Sequence, residues 1–300
     1  MLPRISLVDI KMKKWIGLSL LPFSAMAQQT HNSDKYGYSY FTVGLENVTY
    51  QEHFGGLRSD VTVTNPILNT GGLYYVNDDF DFSIDALASF SPQSSKEEWA
   101  NNGASIQKNQ MEYLKTATNI QLHYKLQDNW RVIGGPSLTY QTFTRYGVKN
   151  HTDAGNKYFY GTWEETSTDI FMDLGLAYDD GSLYLNDKWH ISGKATFGLP
   201  VWSVTSNTQF ENIDFYDFGY RAAVEGSVSY EVTPGLHLGW YAMFGYEKRF
   251  QSDTETVTTT YCKTMVDGVC TGYVTEQKKA TLPEADTYTF STGLQALWSF

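Results

Sequence analysis

The segment 80–90 restricts the fold more than any other part of the sequence. It reads FDFSIDALASF, with an apolar residue at every even position and mostly polar residues between them. A period of two is the signature of a β-strand, because successive side chains of a strand point to opposite faces. Eleven residues with an aromatic side chain at each end match the length of a tilted strand that crosses a bilayer between two aromatic girdles. The segment therefore predicts a strand with one lipid-facing side and one polar side.

The same alternation recurs along the chain and predicts a sheet of ten strands. The second strand has the weakest pattern, because Pro66, Asn69, Gly71 and Gly72 interrupt it, and we expect a β-bulge there. Counts of eight or twelve strands also fit the pattern. The ten predicted strands lie near 36–50, 60–76, 80–91, 110–126, 130–146, 164–178, 188–203, 214–231, 236–251 and 283–300.

The connections between these strands alternate between short and long. Short turns are predicted at 77–79, 127–129 and 233–235, with a slightly longer one at 179–187. Membrane barrels carry short turns on the periplasmic side and long loops outside, so the longer segments should be extracellular. These segments are 51–60, 93–109, 149–162, 205–213 and 252–282.

The N-terminus predicts export. Lys13 and Lys14 precede an apolar run from Trp15 to Phe23, which is followed by the small-residue site at 25–27. These are the three parts of a secretory signal peptide, and the run is shorter than the roughly 20 residues of a membrane-spanning helix. We expect residues 1–27 to be a signal peptide that is cleaved after Ala27, with Met12 as its true start. Residues 28–35 should be a short periplasmic segment, and residues 36–300 one barrel domain.

Charge argues against one class of partner. Residues 1–27 contain four of the 22 basic residues and one of the 33 acidic ones, so the remaining chain has a net charge of −14. Such an acidic chain is a poor ligand for nucleic acid. No linker rich in Pro, Ser or charge divides it, so a single domain is the simplest organisation.

The C-terminus carries a family resemblance. The last residues read YTFSTGLQALWSF and end on Phe300, which resembles the final strand of bacterial outer-membrane β-barrels. The resemblance implies an all-β, closed antiparallel transmembrane barrel in the outer membrane. It also implies that lipid and lipopolysaccharide surround the barrel, and that the assembly machinery reads the strand ending at Phe300. A soluble β-sandwich also alternates, but its strands are not expected to be this long or edged with aromatic residues.

Strand parity predicts a second, inward-facing set of charged residues. Charges cannot face hydrocarbon at low cost, so these side chains should be hydrated or paired across the lumen. Ten strands lie nearer to filled eight-stranded barrels than to open sixteen-stranded ones, so we expect a narrow or largely occluded lumen. The predicted lumen-lining residues are Glu46, Asp81, Asp85, Lys115, Lys125, Arg131, Arg145, Asp173, Lys194, Asp217, Arg221, Glu225, Glu247 and Arg249.

The two cysteines predict a local crosslink. Cys262 and Cys270 flank an Asp-Gly turn signal, and cysteine pairs of exported proteins usually oxidise. A disulfide there would close the tip of an extracellular hairpin at 252–282 and stabilise it by roughly 2 to 3 kcal/mol. Two cysteines alone do not make a zinc site, which needs four ligands. We expect no metal and no cofactor.

An enzymatic function finds little support in the sequence. The strand count resembles that of omptin proteases, whose family pattern places paired Asp residues and an Asp-His pair at the extracellular rim. Here Asp79 and Asp81, and also Asp187 and His190, fall at the predicted periplasmic end. His123 and His237 point inward near the same end, where a lumenal hydrogen bond is the expected role. We therefore expect no catalytic residues.

Three functions remain in order of preference. The first is a narrow porin or transport-type channel for small polar solutes. The alternative is a structural or surface-binding barrel, such as an adhesin or receptor that binds an extracellular ligand. A protease or a lipid-modifying enzyme comes third.

Overall fold

A computed structural model describes residues 37–127, 129–152, 155–185, 188–210, 213–266 and 269–300. The side chains of 152–160, 184–185, 259–270 and 273 lie outside this description. The signal peptide and the segment 28–35 also fall outside it, and both stay predictions. The elements are β1 (Tyr38–Phe54), β2 (Leu57–Tyr75), β3 (Phe80–Ser89), β4 (Ser95–Asn101), β5 (Ala104–Lys125), β6 (Trp130–Thr152), β7 (Gly155–Asp179), α1 (Ser182–Leu185), β8 (Trp189–Asn207), β9 (Asp214–Tyr216), β10 (Gly219–Thr233), β11 (Leu236–Arg249), β12 (Glu255–Val266), β13 (Val269–Ala280) and β14 (Glu284–Ser299).

Ten of these strands close into a ring. Each pairs antiparallel with its neighbours in the order β1, β2, β3, β5, β6, β7, β8, β10, β11, β14, and β14 pairs back onto β1. The closing seam runs from Tyr38 opposite Ser299 to His53 opposite Glu284. Closure leaves the ring without a free edge, so the backbone groups of every ring strand have partners on both sides. The predicted ten-stranded antiparallel barrel is confirmed.

The two ends of the barrel differ, and we name them by their connections. The turn end holds Gly37, Phe300 and the connections after β2, β5, β7 and β10, while the extension end holds all the others. Phe300 itself completes the ring there, because its backbone N–H donates to the Gly37 carbonyl at 3.1 Å.

Apolar side chains form an exposed belt around the half of the barrel nearer the turn end. Leu174, Leu294 and Val224 are each more than 60% exposed, which is costly for large apolar residues unless something other than water covers them. Aromatic contacts edge the belt. Trp130 packs on Tyr178 at the turn end, and Phe218 stacks on Phe250 at the other edge.

Beyond this belt the strands continue with a polar outer face. The segments 51–60, 93–109 and 149–162, predicted as loops, are therefore largely strand: β1 and β2 meet at a two-residue turn at 55–56, β4 and the start of β5 occupy most of 93–109, and β6 and β7 reach Thr152 and Gly155. The prediction failed because it took polarity as a sign of a loop. Thr, Asn, Gln and charged residues alternate with buried ones here, so the period of two persists without an apolar face.

The predicted bulge in the second strand is also wrong. β2 pairs with β1 from Leu57 to Leu73 without a register shift. Pro66 fits because it lies beyond the end of β3, where its carbonyl accepts a hydrogen bond from the Phe90 backbone at 3.1 Å. Its missing N–H therefore leaves the pairing with β3 intact.

The segment 252–282 forms a separate two-stranded hairpin of β12 and β13. A small apolar cluster fixes its base, where Val257, Ala280 and Leu282 pack against Phe215 beside β8. The backbone register places Cys262 opposite Tyr273 and Cys270 opposite Met265 rather than opposite one another. The side chains of both cysteines lie outside the described part, so the disulfide stays a prediction.

α1 is a single helical turn within the connection between β7 and β8. Among the described residues, no helix is long and apolar enough to cross a membrane.

Candidate functional site

The interior of the barrel contains a large set of charged residues. Of the fourteen predicted lumen-lining residues, six are buried and the other eight are half-buried. The buried ones are Glu46, Asp81, Asp85, Arg131, Arg145 and Asp173. The half-buried ones are Lys115, Lys125, Lys194, Asp217, Arg221, Glu225, Glu247 and Arg249.

A network around Arg145 crosses the lumen at the extension end. Arg145 on β6 donates from Nη2 to Glu52 of β1 at 2.9 Å and from Nε to Glu97 of β4 at 2.8 Å, and its Nη1 lies 3.8 Å from Glu165 of β7. Three strands separate β6 from β1 in the ring, so the Arg145–Glu52 pair spans the interior instead of joining neighbours.

Arg249 on β11 completes the network from the opposite wall. Its Nη1 donates to Glu165 at 2.8 Å, and its Nη2 donates to Tyr50 at 3.0 Å and to Glu52 at 3.3 Å. Two guanidinium groups therefore face three carboxyl groups, Glu97 being the third. The lumen network, defined as Tyr50, Glu52, Glu97, Arg145, Glu165 and Arg249, joins five strands.

The pKa values of two carboxyl groups in this network, Glu52 and Glu165, are shifted in opposite directions. They lie beyond the apolar belt, where Gln51 and Glu164 form the outer face. Burial raises the pKa of Glu52, and the nearby arginines offset this only in part. Burial also opposes ionisation of Glu165, but the charges of Arg249 and Arg145 outweigh it and hold the pKa of Glu165 below its ordinary value.

An apolar cluster inside the barrel adjoins the network. Phe143 stacks on Tyr50 with ring centroids 4.3 Å apart and contacts Tyr113 at 5.0 Å. Val48 and Met111 belong to the same buried cluster. These side chains fill the lumen at this level with hydrocarbon. The ion pairs of the network and this apolar packing therefore both close the lumen near the extension end.

Toward the turn end, further ion pairs divide the interior. Lys194 lies 2.7 Å from Asp85 across the lumen and 3.2 Å from Glu225. These three residues line both a cavity of about 100 Å³ and a second one of about 80 Å³, so they form the wall between the two. Arg221 pairs with Asp173 and donates to Thr139 at 3.1 Å.

A smaller cavity of about 30 Å³ adjoins the lumen network. Asp169 and Asp217 line it, and the Ser203 hydroxyl lies within hydrogen-bond distance of both carboxyl groups. Thr205 donates to Asp217 at 3.0 Å.

Among the described residues, three of the histidines lie away from the extension end, where the omptin pattern would need one. His123 lies inside the barrel, 2.8 Å from Ser83, and His190 and His237 are buried at the turn end. His53 does lie at the extension end, 3.9 Å from Asp286, but its side chain is on the outer face. Asp187 lies outside the described residues.

The sequence prediction missed four members of the lumen network, namely Tyr50 and the three carboxyl groups. Glu52 and Glu165 share the inward parity of Glu46 and Asp173, so the period of two could have identified them. Glu52 was overlooked because 51–60 was assigned to a loop, whereas Glu165 lies within the predicted strand 164–178 and was left out although its parity points inward. Glu97 lies on β4, a short strand between β2 and β5 for which no alternation was recognised.

Comparison with known proteins supports the architecture. No family model matches the sequence, and no curated protein matches it. Among solved structures, the outer membrane protease OmpT from Escherichia coli superimposes with a TM-score of 0.58 over 91% of this chain and 99% of that chain, at 11% sequence identity. The outer membrane protein OprG from Pseudomonas aeruginosa matches over 89% of this chain and 97% of that chain, with a TM-score of 0.33 and 9% identity. At this identity the likeness to OmpT shows the fold alone: the chain has the fold of an outer-membrane β-barrel.

Proposed function

We propose that this protein is an integral barrel of the bacterial outer membrane whose lumen is closed at rest and whose function is binding at the cell surface. The exposed apolar belt supports insertion in a bilayer, with the turn end in the periplasm and the extension end outside. The observation that carries the proposal is the lumen network, in which Arg145 and Arg249 join β1, β4, β6, β7 and β11 across the interior.

The structured extension end supports binding as the function. The strands extend well past the belt, and the hairpin of β12 and β13 stands on a packed base with Ser252 and Leu282 hydrogen-bonded to each other. A base held in one position restricts the motion of the hairpin, which lowers the entropy cost of binding a partner. This order of preference reverses that of the sequence prediction, which put a channel first.

A narrow channel for small polar solutes is the second candidate. The two larger cavities favour it, since they share the Asp85–Lys194–Glu225 wall and are lined by hydrogen-bonding groups. Movement of this one wall would join them.

Planar-bilayer conductance separates the two candidates. We expect the folded barrel, residues 28–300, to give no single-channel steps, because ion pairs and the Phe143 cluster close its lumen. If the lumen conducts instead, Lys194→Ala should change the step size, while Arg58→Ala on the outer face should not. Steady steps from the unmodified barrel would contradict a closed lumen and favour the channel.

Deletion of residues 255–280 tests the binding surface. We expect the shortened barrel to keep its heat-modifiable mobility in gels, because β12 and β13 pair only with each other. Cells that display it should lose attachment to the host-cell or bacterial surfaces that the full barrel binds. Equal attachment by cells with the full barrel, the shortened barrel and no barrel would contradict the binding function without affecting the closed lumen.

A further inference from the structure

Four buried polar side chains meet at the turn end of the lumen. Asp179 ends β7, His190 begins β8, Ser229 lies opposite His190 on β10, and His237 begins β11. Each is at most 4% exposed. Each has a buried nitrogen or oxygen without a hydrogen-bond partner among the described residues: Asp179 Oδ2, His190 Nε2, Ser229 Oγ and His237 Nδ1. Leaving a buried polar atom without a partner costs stability, so such a group calls for an explanation.

The ring of His190 is held in one orientation by its other nitrogen. Nδ1 lies 3.1 Å from Asp180 Oδ1 and 3.1 Å from Ser182 Oγ. Asp180 in turn accepts backbone hydrogen bonds from Ser182 at 3.0 Å and Ile191 at 2.9 Å. A carboxylate in this position can only accept, so the hydrogen of the neutral imidazole is on Nδ1. Nε2 therefore carries a lone pair.

That lone pair faces a second one. His190 Nε2 and Asp179 Oδ2 are 3.8 Å apart. With the hydrogen on Nδ1, neither atom can donate to the other, and a cation between them would satisfy both. Two ligands at the tetrahedral angle around zinc are ~3.3 Å apart, given bonds of about 2.0 to 2.1 Å. The observed separation is about half an ångström longer than that distance.

We propose that Asp179 Oδ2 and His190 Nε2 bind a divalent transition-metal cation, with Zn²⁺ as the best fit, at the periplasmic mouth of the barrel. The ligand atoms of Asp179, Asp180 and His190 lie within 4.8 Å of one another, and water completes the coordination of the cation. Imidazole and carboxylate together select zinc over calcium or magnesium, which prefer all-oxygen sites. Asp180 is the positioning residue, because it fixes the ring that binds the metal.

The alternative occupant is a proton. A doubly protonated His190 would carry a hydrogen on Nε2 and form an ion pair with Asp179. Stoichiometric binding of added metal distinguishes the two occupants: a metal site binds it, and a protonated His190 does not.

Titration of Zn²⁺ alone into the untagged, chelator-washed barrel tests the proposal. Calorimetry should show one equivalent bound, and His190→Ala and Asp179→Asn should abolish it. Asp180→Asn should weaken it by about 10- to 100-fold, as expected for a residue that orients a ligand. His123→Ala is the matched control, since this buried lumenal histidine contacts Ser83 instead, and it should bind zinc like the unmodified barrel. Heat-modifiable gel mobility checks that each variant folds.

A measurement on the unmodified barrel keeps the test independent of variant folding. The zinc X-ray absorption spectrum should show only nitrogen and oxygen neighbours, with imidazole scattering. Sulfur neighbours would move the metal to Cys262 and Cys270 and overturn the proposal. Absence of stoichiometric zinc, or equal binding by His190→Ala, would also overturn it, and the first of these results would leave the proton as the occupant.

Discussion

Replacing Arg145 with alanine should destabilise the barrel by about 3 to 5 kcal/mol, the cost expected when one partner of a buried ion pair is removed. Its guanidinium faces Glu52, Glu97 and Glu165, and all four side chains are at most 9% exposed. The variant leaves three buried carboxyl groups with only Arg249 as a cation. Equilibrium unfolding in lipid vesicles, followed by tryptophan fluorescence, measures the change.

Arg58→Ala is the matched control. Arg58 lies on the outer face of the same end and is 3.5 Å from Asp60, with both side chains about half exposed. Removal of an exposed pair costs roughly 0 to 1 kcal/mol. Similar losses in the two variants would mean that the lumen network adds no more stability than a surface ion pair.

The loss caused by Arg145→Ala should depend on pH. The pKa of Glu165 is lowered in the folded barrel, so Glu165 contributes stability above its unfolded pKa, and this contribution is lost as the pH falls through the folded value. The pKa of Glu52 is raised, so its ionisation costs stability as the pH rises. Without Arg145 both pKa values move upward, and acid neutralises the unpaired charges. We therefore expect a smaller loss near pH 5 than near pH 8, and a loss that is constant with pH would contradict this account.

The ring of strands could be predicted because it depends on local patterns. Alternation along 80–90 and its repeats fixes which residues face outward, and the short turns fix which strands are neighbours. The assignment failed where polarity and period disagreed, at 51–60 and 149–162. There the period of two was the better guide, because an outer face beyond the lipid has no need to be apolar.

The partners inside the barrel could not be predicted in the same way. Parity places Arg145 and Lys194 inside, but their partners Glu52 and Asp85 come from strands four places away in the ring. Such pairs depend on the tilt and stagger of closed strands, which alternation does not specify. The metal site proposed at Asp179 and His190 could not be predicted from alternation either. Its geometry depends on the helical turn α1 and on the Asp180 carboxylate, which accepts hydrogen bonds from the backbone of Ser182 and Ile191.

Leu294→Arg should destabilise the barrel by about 2 to 4 kcal/mol, the cost of a charged side chain on the lipid face near the bilayer midplane. Leu294 lies on β14 between Phe290 and Trp298, which mark the two sides of the belt, and its side chain is 67% exposed. In water this replacement would be nearly neutral or mildly favourable, because an exposed leucine gains little from burial. The size and sign of the effect therefore report whether lipid covers the belt.

Thr62→Arg places the same charge on the same outer surface but beyond the belt. Thr62 is exposed on β2, and its hydroxyl contacts only Thr49 across the strand pair. Surface substitutions of this kind change stability by about 0.5 kcal/mol or less. If both variants unfold in vesicles like the unmodified barrel, the exposed apolar side chains do not face lipid, and the belt would have to be covered by protein. A large loss for Leu294→Arg alone places the membrane boundary between these two positions, with the lumen network and the β12–β13 hairpin on the aqueous side.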